Sequence, residues 1–280
     1  MSSATATTLE NVSYEKKDAI AYITVNRPKV LNALNPALMT QLATQMESFD
    51  KDSNIHVILL AGSERAWAAG ADIGDMAEQS AISMYERDQF ATWDRIKRIK
   101  KPIVAAVSGW CLGAGASLAL TCHITIAADD AVFGQPQVRH AANTDFIWVA
   151  LAGFKNALRY SLTGDHIDAK EALRIGLINQ VVPKAELLET CFKYVERIAH
   201  VPPETVKINL HISTQGLEMM GLRKAWTLNA ELSAMARLSK REEFNKSLEE
   251  ARRQGGIEAF LRERDAPFQP EPFGPKAKKT

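Results

Sequence analysis

The chain has 280 residues, enough for one large domain or two modest ones, and can bury about three quarters of its unfolded surface without disulfide or metal staples. Hydrophobic content of 46% and charged content of 24% exclude a disordered chain. With Lys+Arg 34 against Asp+Glu 33, the net charge of +1 provides no global field to steer nucleic acid or an anionic membrane.

Three widely spaced cysteines, Cys111, Cys122 and Cys191, fit a reduced compartment better than a disulfide framework. The opening MSSATATTLENVSYEKK lacks the basic and apolar regions of a signal peptide, so a cytoplasmic protein is expected. Residues 103–128 contain no Asp, Glu, Lys or Arg and are long enough to cross a bilayer. Ser108-Gly109, Gly113, Gly115 and His123 interrupt them, however, and favour a strand, a glycine turn, a short helix and a second strand.

Strand-like apolar runs fall at 21–25, 57–61, 103–107, 124–128 and 180–182. Helical spacing separates most of them, at 36–50, 84–99, 114–121 and 169–175. This alternation predicts an α/β fold with a mainly parallel sheet. Asp168 can cap the helix at 169, with Glu171 completing a capping box and Gly176 as the C-terminal stop. After residue 184 only helices are expected, at 187–199, 205–216, 222–238 and 242–254. The division is therefore an α/β core over 1–200, a helical region over 201–265 and a Pro-rich tail over 266–280. Pro267, Pro270, Pro272 and Pro275 stop any helix in that tail, and Phe268 and Phe273 could dock it on a neighbour.

Several chemical motifs fail on their own terms. Gly113-Ala114-Gly115 lacks the third glycine and downstream acid of a dinucleotide site. Residues 115–119 resemble a nucleophile elbow around Ser117, but the His140 and His166 that follow make no compelling triad. Cys111, Cys122 and His123 lack metal-ligand spacing, so no metal is expected. The basic run 95–101 reads as a solvated helix face with its isoleucines turned inward.

Two small-residue loops remain, 67–73 and 113–115, each after a strand and before an expected helix start. Each would present unpaired backbone N–H groups. If they converge, they could hold a carbonyl oxygen as negative charge develops on it. Spacing alone leaves two ordinary tight turns as the alternative.

The stretches NRPKVLNAL (26–34), WAAGADIGDM (67–76), KPIVAAVSG (101–109), FGQP (133–136) and LTGD (162–165) through Val182-Pro183 together resemble the crotonase (enoyl-CoA hydratase/isomerase) superfamily. The resemblance implies a ββα spiral core with a C-terminal all-helical trimerisation region, an acyl-CoA substrate, and a homotrimer or dimer of trimers. It implies no cofactor beyond the coenzyme A of the substrate, and neither a nucleic-acid nor a membrane partner. The oxyanion-hole donors carry over to the N–H groups of Ala71 and Ala114. Substrate and CoA contacts carry over to Lys29, Leu31, Ala69 and Gly70, and to Asp72, Ile73, Gly113 and Trp148.

Ser117 and Gln137 stand where hydratases of the family carry their two glutamates, and neither group is a general acid or base near neutral pH. Asp145 lies in the register of the aspartate that dienoyl-CoA isomerases use as base and 4-chlorobenzoyl-CoA dehalogenases use as nucleophile. It could equally be the N-cap of a helical run over 146–151. Phe90 and Gln137 replace the histidine and tryptophan of those dehalogenases. His140 is a further acid/base candidate, and Arg139, His140 and Trp148 suggest a polar or aromatic acyl group or a subunit contact. The expected activity is isomerisation, unusual hydration or hydrolysis of an acyl-CoA. The alternatives are a non-catalytic acyl-CoA binder and a serine hydrolase using Ser117.

Overall fold

The computed structural model describes residues 7–63, 65–74, 92–141, 145–238 and 242–271. Strands β1 (Thr7–Thr8), β2 (Val12–Lys17), β3 (Ile20–Val25) and β4 (Val57–Ala61) open one sheet. The chain then alternates between this sheet and a second one. β5 (Ala66–Ala68) starts the second sheet, β6 (Ile103–Val107) returns to the first, and β7 (Trp110–Leu112) goes back to the second. β8 (Ile124–Ala128) and β9 (Val132–Gly134) repeat the step, β10 (Ile167–Asp168) joins the second sheet, and β11 (Gln180–Val182) closes the first. The first sheet runs β1-β2-β3-β4-β6-β8-β11 and is parallel from β3 onward; the second runs β10-β9-β7-β5. This stepping between sheets is the expected spiral.

The helices are α1 (Pro36–Lys51), α2 (Thr92–Lys97), α3 (Ala114–Thr121), α4 (Phe146–Thr163), α5 (Ala169–Arg174) and α6 (Leu187–Ala199). α7 (Pro203–Met219), α8 (Leu222–Leu238) and α9 (Glu242–Asp265) follow. Strand alternation divides the apolar residues between two cores. Ile58, Leu60, Ala105 and Val107 face the large one, while Val57, Leu59, Val104 and Ala106 face α6. α6 covers them with Leu187, Cys191 and Val195, spaced four residues apart on one face.

The suspected membrane stretch folds as β6, β7, α3 and β8, and no described helix is long and apolar enough to cross a membrane. Of the helix expected over 84–99, residues 84–91 lie outside the described residues and α2 falls within the rest. α4 extends well past 151 through a break at Gly153, and α9 continues past 254 across Gly255 and Gly256. At α5 the cap forms but the box does not. Asp168 Oδ1 accepts from the Glu171 N–H (2.8 Å), whereas the Glu171 carboxylate turns to the Tyr160 hydroxyl (2.6 Å) and Arg174.

The tail differs most from expectation. Phe268 docks on its own chain, its ring 4.4 Å from the Arg139 guanidinium carbon, while Phe273 lies outside the described residues. Arg139, expected to face an acyl group or a subunit contact, has its side chain buried within its own chain. Its Nη2 donates to Asp165 (3.1 Å) and Glu271 (3.1 Å), Nη1 to Asp265 (3.1 Å), and Nε to the Thr163 carbonyl (3.0 Å). Glu271 also accepts from the His166 backbone N–H (3.1 Å), and Arg264 pairs with Asp265 (2.8 Å).

Burial pushes both tail carboxyls up, but their hydrogen-bond and charged partners win. Arg264 and Arg139 beside Asp265, and His166 and Arg139 beside Glu271, hold both below the ordinary carboxylate range. Because both titrate lower in the folded chain, the stability they add is complete above the ordinary carboxylate pKa. It is lost as the pH falls through the depressed values.

Arg139→Met should lower folding stability at pH 7 by roughly 3–5 kcal/mol, because it takes the shared guanidinium from buried Asp165 and Glu271. Denaturant titration checks this, and a loss below about 1 kcal/mol, typical of an exposed pair, would contradict it.

Candidate active site

The loop after β5 is fixed by a one-residue bridge to the segment before α1. The Leu34 N–H donates to the Gly70 carbonyl (2.8 Å), and the Asp72 N–H donates to the Leu34 carbonyl (2.9 Å). In a parallel bridge of this kind the residue between those two partners points its own N–H and C=O the other way. That residue is Ala71, and its N–H has no acceptor among the described residues.

The surrounding struts hold the loop in place. Ala69 donates to the Leu31 carbonyl (3.0 Å), and the Asp72 carboxylate pairs with Arg27 (3.0 Å). Buried Asn32 ties the neighbouring segment to the Ala66 carbonyl of β5 (2.9 Å). Asp72 is thus a strut of the loop, and Lys29 lies exposed on the 3₁₀ turn Pro28–Val30 beside it.

The second loop turns from β7 into α3. Gly113 takes φ +49°, in the left-handed region that favours glycine, and donates its N–H to the Gly134 carbonyl of β9 (2.9 Å). Ala114 is then the first helical residue. Its N–H is one of the donors that a helix start leaves unpaired, and it has no acceptor among the described residues. A Cβ placed on Gly113 would lie 4.0 Å from the Gly70 Cα and 3.1 Å from Gln137 Oε1, so the two loops and Gln137 adjoin. Gly115 allows α3 to lie directly on β5, where a Cβ would come within 2.2 Å of the Ala68 carbonyl. The Trp67 indole closes that contact by donating to the Gly115 carbonyl (2.8 Å). The two expected N–H groups are therefore carried by adjoining, braced loops, and Ala71, Ala114, Ser117, Gln137 and Ile73 are all half-buried.

Asp145 caps α4, its Oδ1 accepting from the Ile147 N–H (3.0 Å). The same oxygen accepts from the Trp226 indole of α8 (2.8 Å), and the Asp145 N–H donates to Gln135 Oε1 (3.4 Å). Asp145 is thus tied to the stretch carrying Gln137. Ser117 Oγ has no hydrogen-bond partner among the described residues. His140 packs edge-on against Phe260 of α9, with ring centroids 5.4 Å apart, so its ring meets the C-terminal helix. Trp148 is buried in the large core, its indole N–H lacking an acceptor among the described residues. Phe90 lies outside the described residues. Cys122 donates to the Leu118 carbonyl, while His123 Nδ1 accepts from the Ile103 N–H (2.9 Å), so the two side chains diverge. Burial pushes the Cys122 thiol up to about 12 and the His123 ring down to about 4.

Sequence spacing missed Trp226 and Lys97. Trp226 stands in a largely polar helix with no motif around it. Lys97 lies in the basic run, whose isoleucines do turn inward: Ile96 and Ile99 are buried. Its only signal is Trp93, one helical turn earlier.

The family model described as Enoyl-CoA hydratase/isomerase matches residues 15–271. The chain belongs to that family, the crotonases. Among its curated crotonase relatives is the "Probable enoyl-CoA hydratase, mitochondrial" of Dictyostelium discoideum, 40% identical over 69% of this chain and 71% of that protein. The 2,3-dehydroadipyl-CoA hydratase of Escherichia coli is 30% identical over 90% of this chain and 96% of that one. A solved enoyl-CoA hydratase/isomerase from Xanthobacter autotrophicus superposes with a TM-score of 0.86 at 26% identity, covering 93% of this chain and 99% of its own.

Removing one donor without disturbing the fold tests the site. Proline is tolerated at the first helical position and lacks an N–H, so Ala114→Pro should keep the melting temperature while lowering kcat on an acyl-CoA substrate about 10²–10³-fold. Unchanged turnover by this variant would remove Ala114 from the site.

Proposed function

We propose that this crotonase is an acyl-CoA isomerase in which the Ala71 and Ala114 N–H groups polarise the thioester carbonyl and Asp145 moves the proton. The observation carrying this reading is the pair of acceptor-free N–H groups on adjoining, braced loops. Withdrawal of an α-proton places negative charge on the thioester oxygen, and each preorganised donor stabilises that charge most when it is fully developed. Thioester enolate chemistry needs neither a metal nor a redox cofactor, so coenzyme A enters as part of the substrate.

Isomerisation suits the side chains present. Hydration by two carboxylates needs an acid and a base at once, and those positions hold Ser117 and Gln137. Moving a double bond needs one group that takes a proton from one carbon and returns it to another. One carboxylate, Asp145, can do both. Ser117 and Gln137 then position the substrate, while Lys29, Leu31, Ala69, Gly70 and Gly113 form the surrounding CoA and acyl contacts.

A homotrimer or dimer of trimers belongs to the same proposal. α7 buries none of its side chains, yet carries Ile208 and Ile212 one turn apart. α8 likewise exposes Leu228, Leu232 and Met235.

A panel of 2-enoyl-, 3-enoyl-, dienoyl- and aryl-CoA thioesters, assayed with wild type and Asp145→Asn, tests this. Asparagine keeps the cap, so the variant should melt with wild type while its isomerisation kcat falls at least about 10²-fold. Full activity in Asp145→Asn would make Asp145 a cap only. Tight CoA-ester binding without turnover of any panel member would make the chain a binder, and fluorophosphonate labelling of Ser117 would make it a serine hydrolase. Sedimentation of the same preparation should give three or six times 30.9 kDa.

A further inference from the structure

Asp145 is held by more than its helix. Both donors that reach it, the Ile147 N–H at 3.0 Å and the Trp226 indole at 2.8 Å, end on the same oxygen, Oδ1. Among the described residues, no side chain or backbone donor reaches Oδ2. On the other side of Trp226 sits a cation, with Lys97 Nζ 3.2 Å from the ring centroid and 6.0 Å from that of Trp93. Lys97 is largely sheltered from solvent yet makes no ion pair among the described residues.

Its carboxylate neighbours are engaged elsewhere. Arg223 of α8 takes Asp94 of α2 (3.0 Å) and Glu218 at the end of α7 (3.3 Å). The charged groups around Lys97 are thus Asp94, Glu218, Arg223 and Asp145. Burial is the main cause that lowers the Lys97 ammonium, to about 8, with Asp145, Asp94 and Glu218 opposing it and Arg223 adding to it.

A cation on an indole face is attracted to the ring and draws electron density from it, which makes the N–H at the ring edge a stronger donor. Here that N–H points at Asp145. We propose that Lys97 and Trp226 are positioning residues for Asp145: together they anchor Oδ1 and fix the rotation of the carboxylate, leaving Oδ2 as the oxygen that carries the proton. This rests on the reading of Asp145 as the proton-transfer group. The indole and the cation come from α8 and α2, far apart in sequence, so docking of α8 beside α2 completes the acid/base end of the site. Above about pH 8 Lys97 gives up its charge and the indole N–H weakens as a donor.

Carbon-13 NMR of protein labelled at the aspartate carboxyl reads this without requiring turnover, with the Asp145 signal assigned by its loss in Asp145→Asn. At pH 7, Lys97→Met should move the Asp145 carboxyl signal from its wild-type position, and Lys97→Arg should restore it. Trp226→Phe should move it in the same direction. In turnover, kcat should fall in both variants while KM stays within about twofold, and the wild type should lose kcat above about pH 8 in a step that Lys97→Met lacks. An Asp145 carboxyl signal and a kcat both unchanged in Lys97→Met and Trp226→Phe would overturn the proposal, even if Asp145→Asn is inactive. Full activity in Asp145→Asn would instead overturn the underlying reading of Asp145.

Discussion

The Leu34–Ala71 bridge is the constraint on which the rest depends. Leu34 occupies the carbonyl of residue 70 and the N–H of residue 72, and the geometry of a parallel bridge leaves the N–H of residue 71 facing away from Leu34. Residue 114 is set up differently but to the same end, since the first residue of a helix has no carbonyl one turn back to accept its N–H. Neither donor depends on a side chain. The braces around them do: Asn32 and Trp67 fix the first loop to β5 and β5 to α3 by hydrogen bonds that are buried or nearly so. Preorganisation of this kind stabilises developing charge without reorganising during the reaction.

Around this fixed backbone the side-chain chemistry is free to vary. At the positions that the resemblance matches to the two glutamates of hydratases, the chain carries a hydroxyl and an amide, Ser117 and Gln137. Asp145 is tied to the neighbouring Gln135 and gripped through a single oxygen by α4 and α8. A carboxylate capping a helix and also meeting an indole is constrained in rotation, so its second oxygen has a defined direction. Cap and catalyst are compatible roles because they use different oxygens of one group.

Much of the scaffold was legible in the sequence because local physics and the global fold agree there. The apolar runs at 57–61, 103–107 and 124–128, bounded by turn residues, form central strands, and the helices starting at 114 and 187 match their spacing. The strands of the second sheet were not legible, since β5, β7, β9 and β10 have only two or three residues each, too few for a period. The loops at 67–73 and 113–115 were visible as small-residue turns, but only the resemblance to crotonases suggested an oxyanion role for them over ordinary turns. Arg139 shows the limit most plainly. Its place in the sequence suggests the pocket, while its partners, Asp265 and Glu271, lie more than a hundred residues away. Lys97 and Trp226 are the same case, joined only by tertiary packing.

The most direct test of the central claim is the vibrational frequency of a thioester carbonyl bound in the site. Isotope-edited infrared difference spectra of a ¹³C=O-labelled, non-reacting acyl-CoA report how strongly its oxygen is polarised. Two N–H donors meeting that oxygen predict a stretch shifted clearly below its value in water, with part of the shift lost when Ala114 is replaced by proline. A bound carbonyl that absorbs at its aqueous frequency, unchanged in the proline variant, would contradict the account.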